Sequence, residues 1–215
     1  MTTPSGSPHV GRRITKMNDK QARIFDAASS LFAEHGFESV TTQQISDRAQ
    51  IAAGTLFRYA ASKGELLLMI YNEDFRAALE RGALAARTRT DPVEAVIALI
   101  RPVLESADRQ VENTVAYQRE LLFGSPEDRY RSEGLALVAQ LEAAIAERLS
   151  AAAGESEAAR EQARLAGRSV FAALHLALVR PVTGAHPGHD AFADLRGQIA
   201  QIIAGFFTSS ERKQP

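Results

Sequence analysis

The sequence predicts an all-α protein, and three features point there. Apolar residues recur at helical spacing from Ile24 to Phe206. Two helix-start signals, Thr41-Thr42-Gln43-Gln44 and Ser62-Lys63-Gly64-Glu65, frame a short polar segment. A chain of 215 residues also has room for a small head and one larger helical domain.

Residues 1–17 are rich in Ser, Thr, Pro and Gly and read as a disordered basic arm. Arg12, Arg13 and Lys16 could track a phosphate or minor groove there, or remain solvated. Asn18 or Asp19 is the expected cap of the first helix. Its stripe is Ile24, Ala28, Leu31 and Phe32, and Gly36 should end it.

Thr41 can accept from the N–H of Gln44 while Gln44 reaches back, a capping box with Val40 and Ile45 as its apolar staple. That helix runs through Ala49. After a turn at Gln50-Ile51-Ala52, the next spans about Ala53 to Tyr59. Ile45, Ala49, Ile51 and Leu56 fall where a helix-turn-helix needs its inner residues, and small Ser46 and Ala49 permit a close crossing. The outer face is Ala53, Gly54, Thr55, Arg58 and Tyr59. It is small at its start and cationic or hydrogen-bonding at its end, which suits a major groove. Spacing alone leaves an ordinary helical hairpin open.

Ser62-Lys63-Gly64-Glu65 opens a helix to about Arg81, buried through Leu66, Leu67, Ile70, Phe75 and Leu79. Lys63 opposes the dipole of that helix, so a phosphate held between its ammonium and the free N–H groups explains it better than structure does. Asp91-Pro92 starts another helix, and Pro102 inside its pattern predicts a kink or break. Helices over about 109–123 and from Ser125 to about Ala153 follow. The last two span about Glu155–Arg180, ended by Pro181, and Asp190–Thr208.

Residues 21 to 70 resemble the TetR family of bacterial transcription regulators. The likeness rests on Ile24, Ala27-Ala28, Leu31-Phe32, His35-Gly36-Phe37, Thr41-Thr42, Ile45, Ala49, Gly54-Thr55-Leu56-Phe57, Tyr59, Ser62-Lys63 and Glu65-Leu66-Leu67. Three positions depart from the family. Gln50 stands where a turn Gly is usual, so it would carry some strain or sit in a slightly different turn. Ala52 removes a Ser cap contributing about 1 kcal/mol. Ala60 replaces a Phe.

The resemblance implies a helix-turn-helix DNA-binding domain over 18–63 and a helical ligand-binding and dimerisation domain over 64–215. Thr42, Gln43, Arg58, Tyr59 and Lys63 would meet phosphates or groove edges. Ala53 and Thr55 would face bases, Phe57 would join them, and the N–H of Gly54 would approach the backbone. It implies a pocket with candidates Tyr71, Phe75, Tyr117, Glu120, Phe123 and His175. A dimer through the last two helices would use Ala166, Val170, Ala173, Leu195, Ile199, Ile202 and Phe206. Two heads about 34 Å apart can read successive major grooves, which one head cannot. The expected partners are a palindromic DNA operator, an unknown small-molecule effector and a second copy, with release on effector binding. An activator or ligand-independent regulator of the same fold remains open, as does a small helical enzyme with a vestigial head.

Net charge is −1, which excludes a uniformly basic nucleic-acid coat. Residues 1–63 carry 8 Lys and Arg against 5 Asp and Glu, so the positive end is the one with the motif. There is no Cys, hence no thiol chemistry or disulfide. No apolar run approaches the roughly 18 residues that span a membrane, and no signal peptide opens the chain, so a cytoplasmic protein is expected. His186, His189 and Asp190 lie close but read as a loop, without metal. No phosphate loop, dinucleotide motif or Ser elbow is present, and no catalytic residue or cofactor is expected.

Overall fold

The computed structural model describes residues 8–153 and 156–211, with side chains described over 19–153 and 156–209. The described elements are all helical: α1 (Pro8–His35), α2 (Thr42–Arg48), α3 (Ala53–Leu56), α4 (Lys63–Ala86), α5 (Pro92–Asp108), α6 (Val111–Phe123), α7 (Arg129–Ala153), α8 (Glu157–Thr183) and α9 (Ala191–Glu211). Helices α1–α3 form the head, with α1 also against α4. Helices α4–α9 form the body, where α4 packs on α5, α6 and α7, and α8 packs on α6, α7 and α9.

Several boundaries correct the sequence reading. Positions 8–17 of the expected disordered arm belong to α1, and Asn18 and Asp19 lie inside that helix rather than capping it. Pro8 sits at its first position, where the missing N–H costs nothing. Residues 1–7 lie outside the described residues. Pro102 neither ends nor interrupts the assigned span of α5, and Pro181 lies inside α8. The stop of α8 comes at Gly184, whose φ of 62° is the left-handed cap that Gly adopts at low cost.

The apolar core runs unbroken from Ile24, Phe32, Ile45 and Leu56 in the head through Leu66 and Leu67 to Ile100, Leu121, Ile145, Val170 and Ile199 in the body. Small residues set the closest helix approaches. A Cβ on Gly82 would fall on the backbone carbonyl of Leu99, and one on Gly167 would stand 2.6 Å from the carbonyl oxygen of Glu142. The small face of α8 therefore serves packing on α7. Contrary to the expectation from sequence, one described helix, α8, is long and apolar enough to cross a membrane by composition. It also carries Arg160, Arg164 and Arg168 and packs on four other helices, α5, α6, α7 and α9.

Candidate nucleic-acid interface and effector cavity

The capping box at the start of α2 forms as its residues dictate. Thr41 Oγ1 accepts from Gln44 N at 3.2 Å, and Gln44 Oε1 accepts from Thr41 N at 2.8 Å. Gln50 then turns left-handed with φ 54°, the strained conformation expected where Gly is absent. No side chain caps α3 at Ala52. The helix is shorter than predicted, ending at Leu56. Beyond it the chain tightens to i→i+3 bonds, Arg58 N to Thr55 O and Tyr59 N to Leu56 O. A missing cap and a Gly at the second helical position both weaken so short a helix.

Leu56 is fully buried beneath α3, while Gly54, Phe57 and Arg58 are exposed, Phe57 at 49%. Ala53, Thr55 and Tyr59 are half-buried beside them, as is Thr42 on α2. Exposed Gln43 is tied to Asp47 Oδ1 at 2.8 Å. The structure thus brings Ala53, Gly54, Thr55, Phe57 and Arg58 into one short segment.

Lys63 is placed differently from the sequence reading. Its Nζ donates to Phe37 O at 2.8 Å and Glu38 O at 3.3 Å, and stands 4.3 Å from the Phe37 ring centre. Two of three ammonium hydrogens therefore hold the α1–α2 corner, and the carbonyls offset the unfavourable helix dipole.

That same corner is gripped by α6. Asn113, 2% exposed, donates from Nδ2 to Phe32 O at 2.9 Å and accepts from Phe37 N at 2.7 Å. It thus satisfies a last-turn carbonyl of α1 and the amide just past Gly36. Glu112 crowds Gly36, whose φ is 76°, and Glu120 crowds Gly64 at the start of α4. Arg119 pairs with Glu38 at 3.2 Å. The opposite side of Asn113 continues inward, since Nδ2 also donates to Gln110 Oε1, which accepts from Tyr71 OH at 2.7 Å.

Tyr71 borders a half-open cavity lined by α4, α5, α6, α7 and α8. Its wall includes Phe75, Val103, Tyr117, Gln118, Leu121, Val138, Phe171 and Leu174, and its free volume is about 50 Å³. Burial pushes the Tyr71 phenol up to about 12 and the Tyr117 phenol higher still, so both hold their protons at neutral pH. Asp74 stands at the rim. Burial raises its carboxyl above the usual range, against the pull of Arg109 and Arg81.

Of the pocket residues named from sequence, Tyr71, Phe75 and Tyr117 line this cavity. His175 stands behind the wall, 2.6 Å from Gln118 Oε1 through Nδ1. Two are corrected. Glu120 faces the head at Gly64, and Phe123, 82% exposed, points to solvent at the end of α6. Sequence reasoning missed Gln118, Thr114 and Asn113, buried polar residues on α6. A polar residue every few positions within an otherwise regular helix was the available signal.

The dimer candidates need a similar correction. Ala166, Val170, Leu195, Ile199 and Phe206 are buried within the single chain and already have partners there. Helical periodicity marks the apolar face, and here the neighbouring helices of the same chain cover it. The apolar residues left outside are Leu165 at 52%, Leu176 at 68% and Val182 at 54%, with Ala173 and Ile202 half-buried. Cβ atoms built on Gly197 and Gly205 of α9 would meet only open space.

Among the described residues, no three His, Cys, Asp or Glu gather as metal ligands. Arg180 organises the His186–Asp190 loop instead, donating to His186 O at 2.9 Å, His189 O at 3.1 Å and Asp194 Oδ2 at 2.8 Å.

Comparison with known proteins matches residues 24–70 to the family described as "Bacterial regulatory proteins, tetR family". Residues 24–70 therefore carry a TetR-family DNA-binding head. The HTH-type transcriptional repressor KstR of Mycobacterium tuberculosis is 36% identical over 73 residues, 33% of either chain. KstR of Rhodococcus jostii is 29% identical over 105 residues, 49% of either chain. The match thus spans a third to a half of the length of these curated relatives. The structure of the Thermus thermophilus TetR-family repressor FadR in complex with lauroyl-CoA aligns over 86% of this chain and 93% of its own. Its TM-score is 0.68 and its identity 27%.

Proposed function

We propose that this TetR-family protein is a ligand-responsive repressor. It would bind a two-fold operator as a homodimer in the cytoplasm, where that DNA lies, and leave it when a small effector fills the body cavity. Residues 18–63 act as the reading head and residues 64–215 as the sensing and pairing body. Ala53, Gly54, Thr55, Phe57 and Arg58 face the groove. Thr42, Gln43, Tyr59 and the third hydrogen of the Lys63 ammonium reach its phosphates. The outward Leu165–Leu176 face of α8, with the open face of α9, pairs the two copies.

One observation carries this reading: α6 is at once a cavity wall and the clasp on the head. Thr114, Tyr117, Gln118 and Leu121 line the cavity. Asn113 and Arg119 hold the α1–α2 corner. A void of about 50 Å³ is much smaller than the roughly 150 Å³ that admits benzene in other cavities. An effector must therefore push its walls apart, and the bonds from Tyr71 through Gln110 and Asn113 carry that displacement to α1. Binding shifts the population only because the widened form holds the ligand better. The FadR relative was solved with lauroyl-CoA, and the apolar wall suits an acyl chain, so an acyl thioester is the proposed effector class.

Selection of bound duplex from a random pool tests the reading. An enriched near-palindrome, released by lauroyl-CoA, is the expected result. No enrichment by the folded protein at low salt would overturn it.

A further inference from the structure

The polar lining of the cavity narrows what it holds, on the reading that this is the effector site. Three lining groups are spent on the protein. Tyr71 OH donates to Gln110, Tyr117 OH donates to Asn72 Oδ1 at 2.9 Å, and Thr114 Oγ1 donates to Ala107 O at 3.2 Å. Gln118 differs. Its Oε1 is 2.6 Å from His175 Nδ1, and among the described residues its Nε2 has no hydrogen-bond partner. The residue is 7% exposed. The sealed, unpartnered side-chain atoms among the described residues are Arg131 Nε and Arg148 Nε, so Gln118 Nε2 is not sealed, and Gln118 is a residue of the cavity wall.

We propose that Gln118 is the specificity-determining donor of the cavity. His175 Nδ1–H binds its Oε1 and turns its NH2 inward, selecting an acyl effector whose buried carbonyl accepts the bond. Burial lowers the His175 imidazole from its ordinary value, which keeps the ring neutral at pH 7 and lets it donate from one nitrogen only. Among the described residues, no Lys or Arg lines the cavity. The inserted group is therefore uncharged: a thioester, ester, amide or ketone carbonyl on an apolar chain. A carboxylate is disfavoured, because it would lie buried without a cation. Ser106 is a fourth hydroxyl on the wall, and the bond from Gln118 fixes the carbonyl's depth relative to it.

Two measurements on the full-length protein test this. The ¹⁵N spectrum of the histidine rings, assigned with His175→Asn, should show the Nδ1–H tautomer at His175. An Nε2–H tautomer overturns the proposal, since Nδ1 would then accept from the Gln118 amide and leave Oε1 facing inward. Calorimetric titration then compares lauroyl-CoA with S-dodecyl-CoA, which keeps the chain and headgroup but lacks the carbonyl. Lauroyl-CoA should bind about tenfold tighter, and Gln118→Met should erase that difference while still binding the thioether. Equal affinities in the wild type, or binding of neither probe by folded protein, overturns the proposal. Tight, carbonyl-dependent binding without operator release would leave Gln118 its role and sink the ligand-responsive reading instead.

Discussion

In the head, the caps that start the helices join near neighbours. Thr41 and Gln44 cap α2 across three residues, and Ser62 accepts from Glu65 N at 3.0 Å to start α4. In the body, helices of 13 to 27 residues are held by long-range approaches. Gly82 lies against α5, Gly167 against α7, and Asn113 reaches 76 and 81 residues back to the head. Local order therefore sets the shape of the reading surface, while distant contacts set where that surface points. Such a division suits a switch. An effector that moves α6 can shift the head as a unit without unmaking its caps.

The largest expected effect sits on the long-range side. Gly82→Val forces side-chain atoms into the α5 backbone, which cannot yield as a side-chain tip could. Chemical denaturation should show a loss of about 3 kcal/mol or more. A change below about 1 kcal/mol would mean that the α4–α5 contact does not govern body stability.

Asn113→Leu comes next. It strips the partner from Phe37 N at a buried site, an unmet donor costing about 1–3 kcal/mol, while Phe32 O loses one donor and keeps Gly36 N. Amide exchange should quicken at residues 36–38 while the α2 cap stays protected. Equal loosening of α2 would break the contrast between local and distant control.

Within the head the effects shrink. Thr41→Ala should cost about 1 kcal/mol by removing a cap. Gln50→Gly should gain about 0.5–1 kcal/mol by relieving the positive φ. A destabilised Gly variant would show that the left-handed turn is not strained.

The smallest effect is a pH dependence. Because burial lowers the folded pKa of His175, the unfolded chain binds the extra proton more readily. Stability from this group is full above about pH 6.5 and falls as pH drops below that value. His175→Gln should flatten the thermal midpoint between pH 7 and 5 relative to wild type. An unchanged slope would place the ring in water.

Much of the head was legible in residue order because its caps and turn are three- and four-residue events. The Thr41–Gln44 box, the strained turn at Gln50 and the buried Leu56 all follow from adjacent side chains and backbone geometry. Lys63 marks where that legibility stops. Its dipole conflict is visible in sequence, but the carbonyls of Phe37 and Glu38 that resolve it lie 25 and 26 residues away.

The sequence by itself determined the all-helical class, the family and the head's local geometry, since each depends on short spacing or on a matched run of residues. Tertiary structure alone decided which stripe of α8 and α9 stays outside, which faces of α6 meet cavity and head, and that Phe123 misses the cavity. An apolar or polar periodicity names a face of a helix. Only the position of the neighbouring helices names what that face touches.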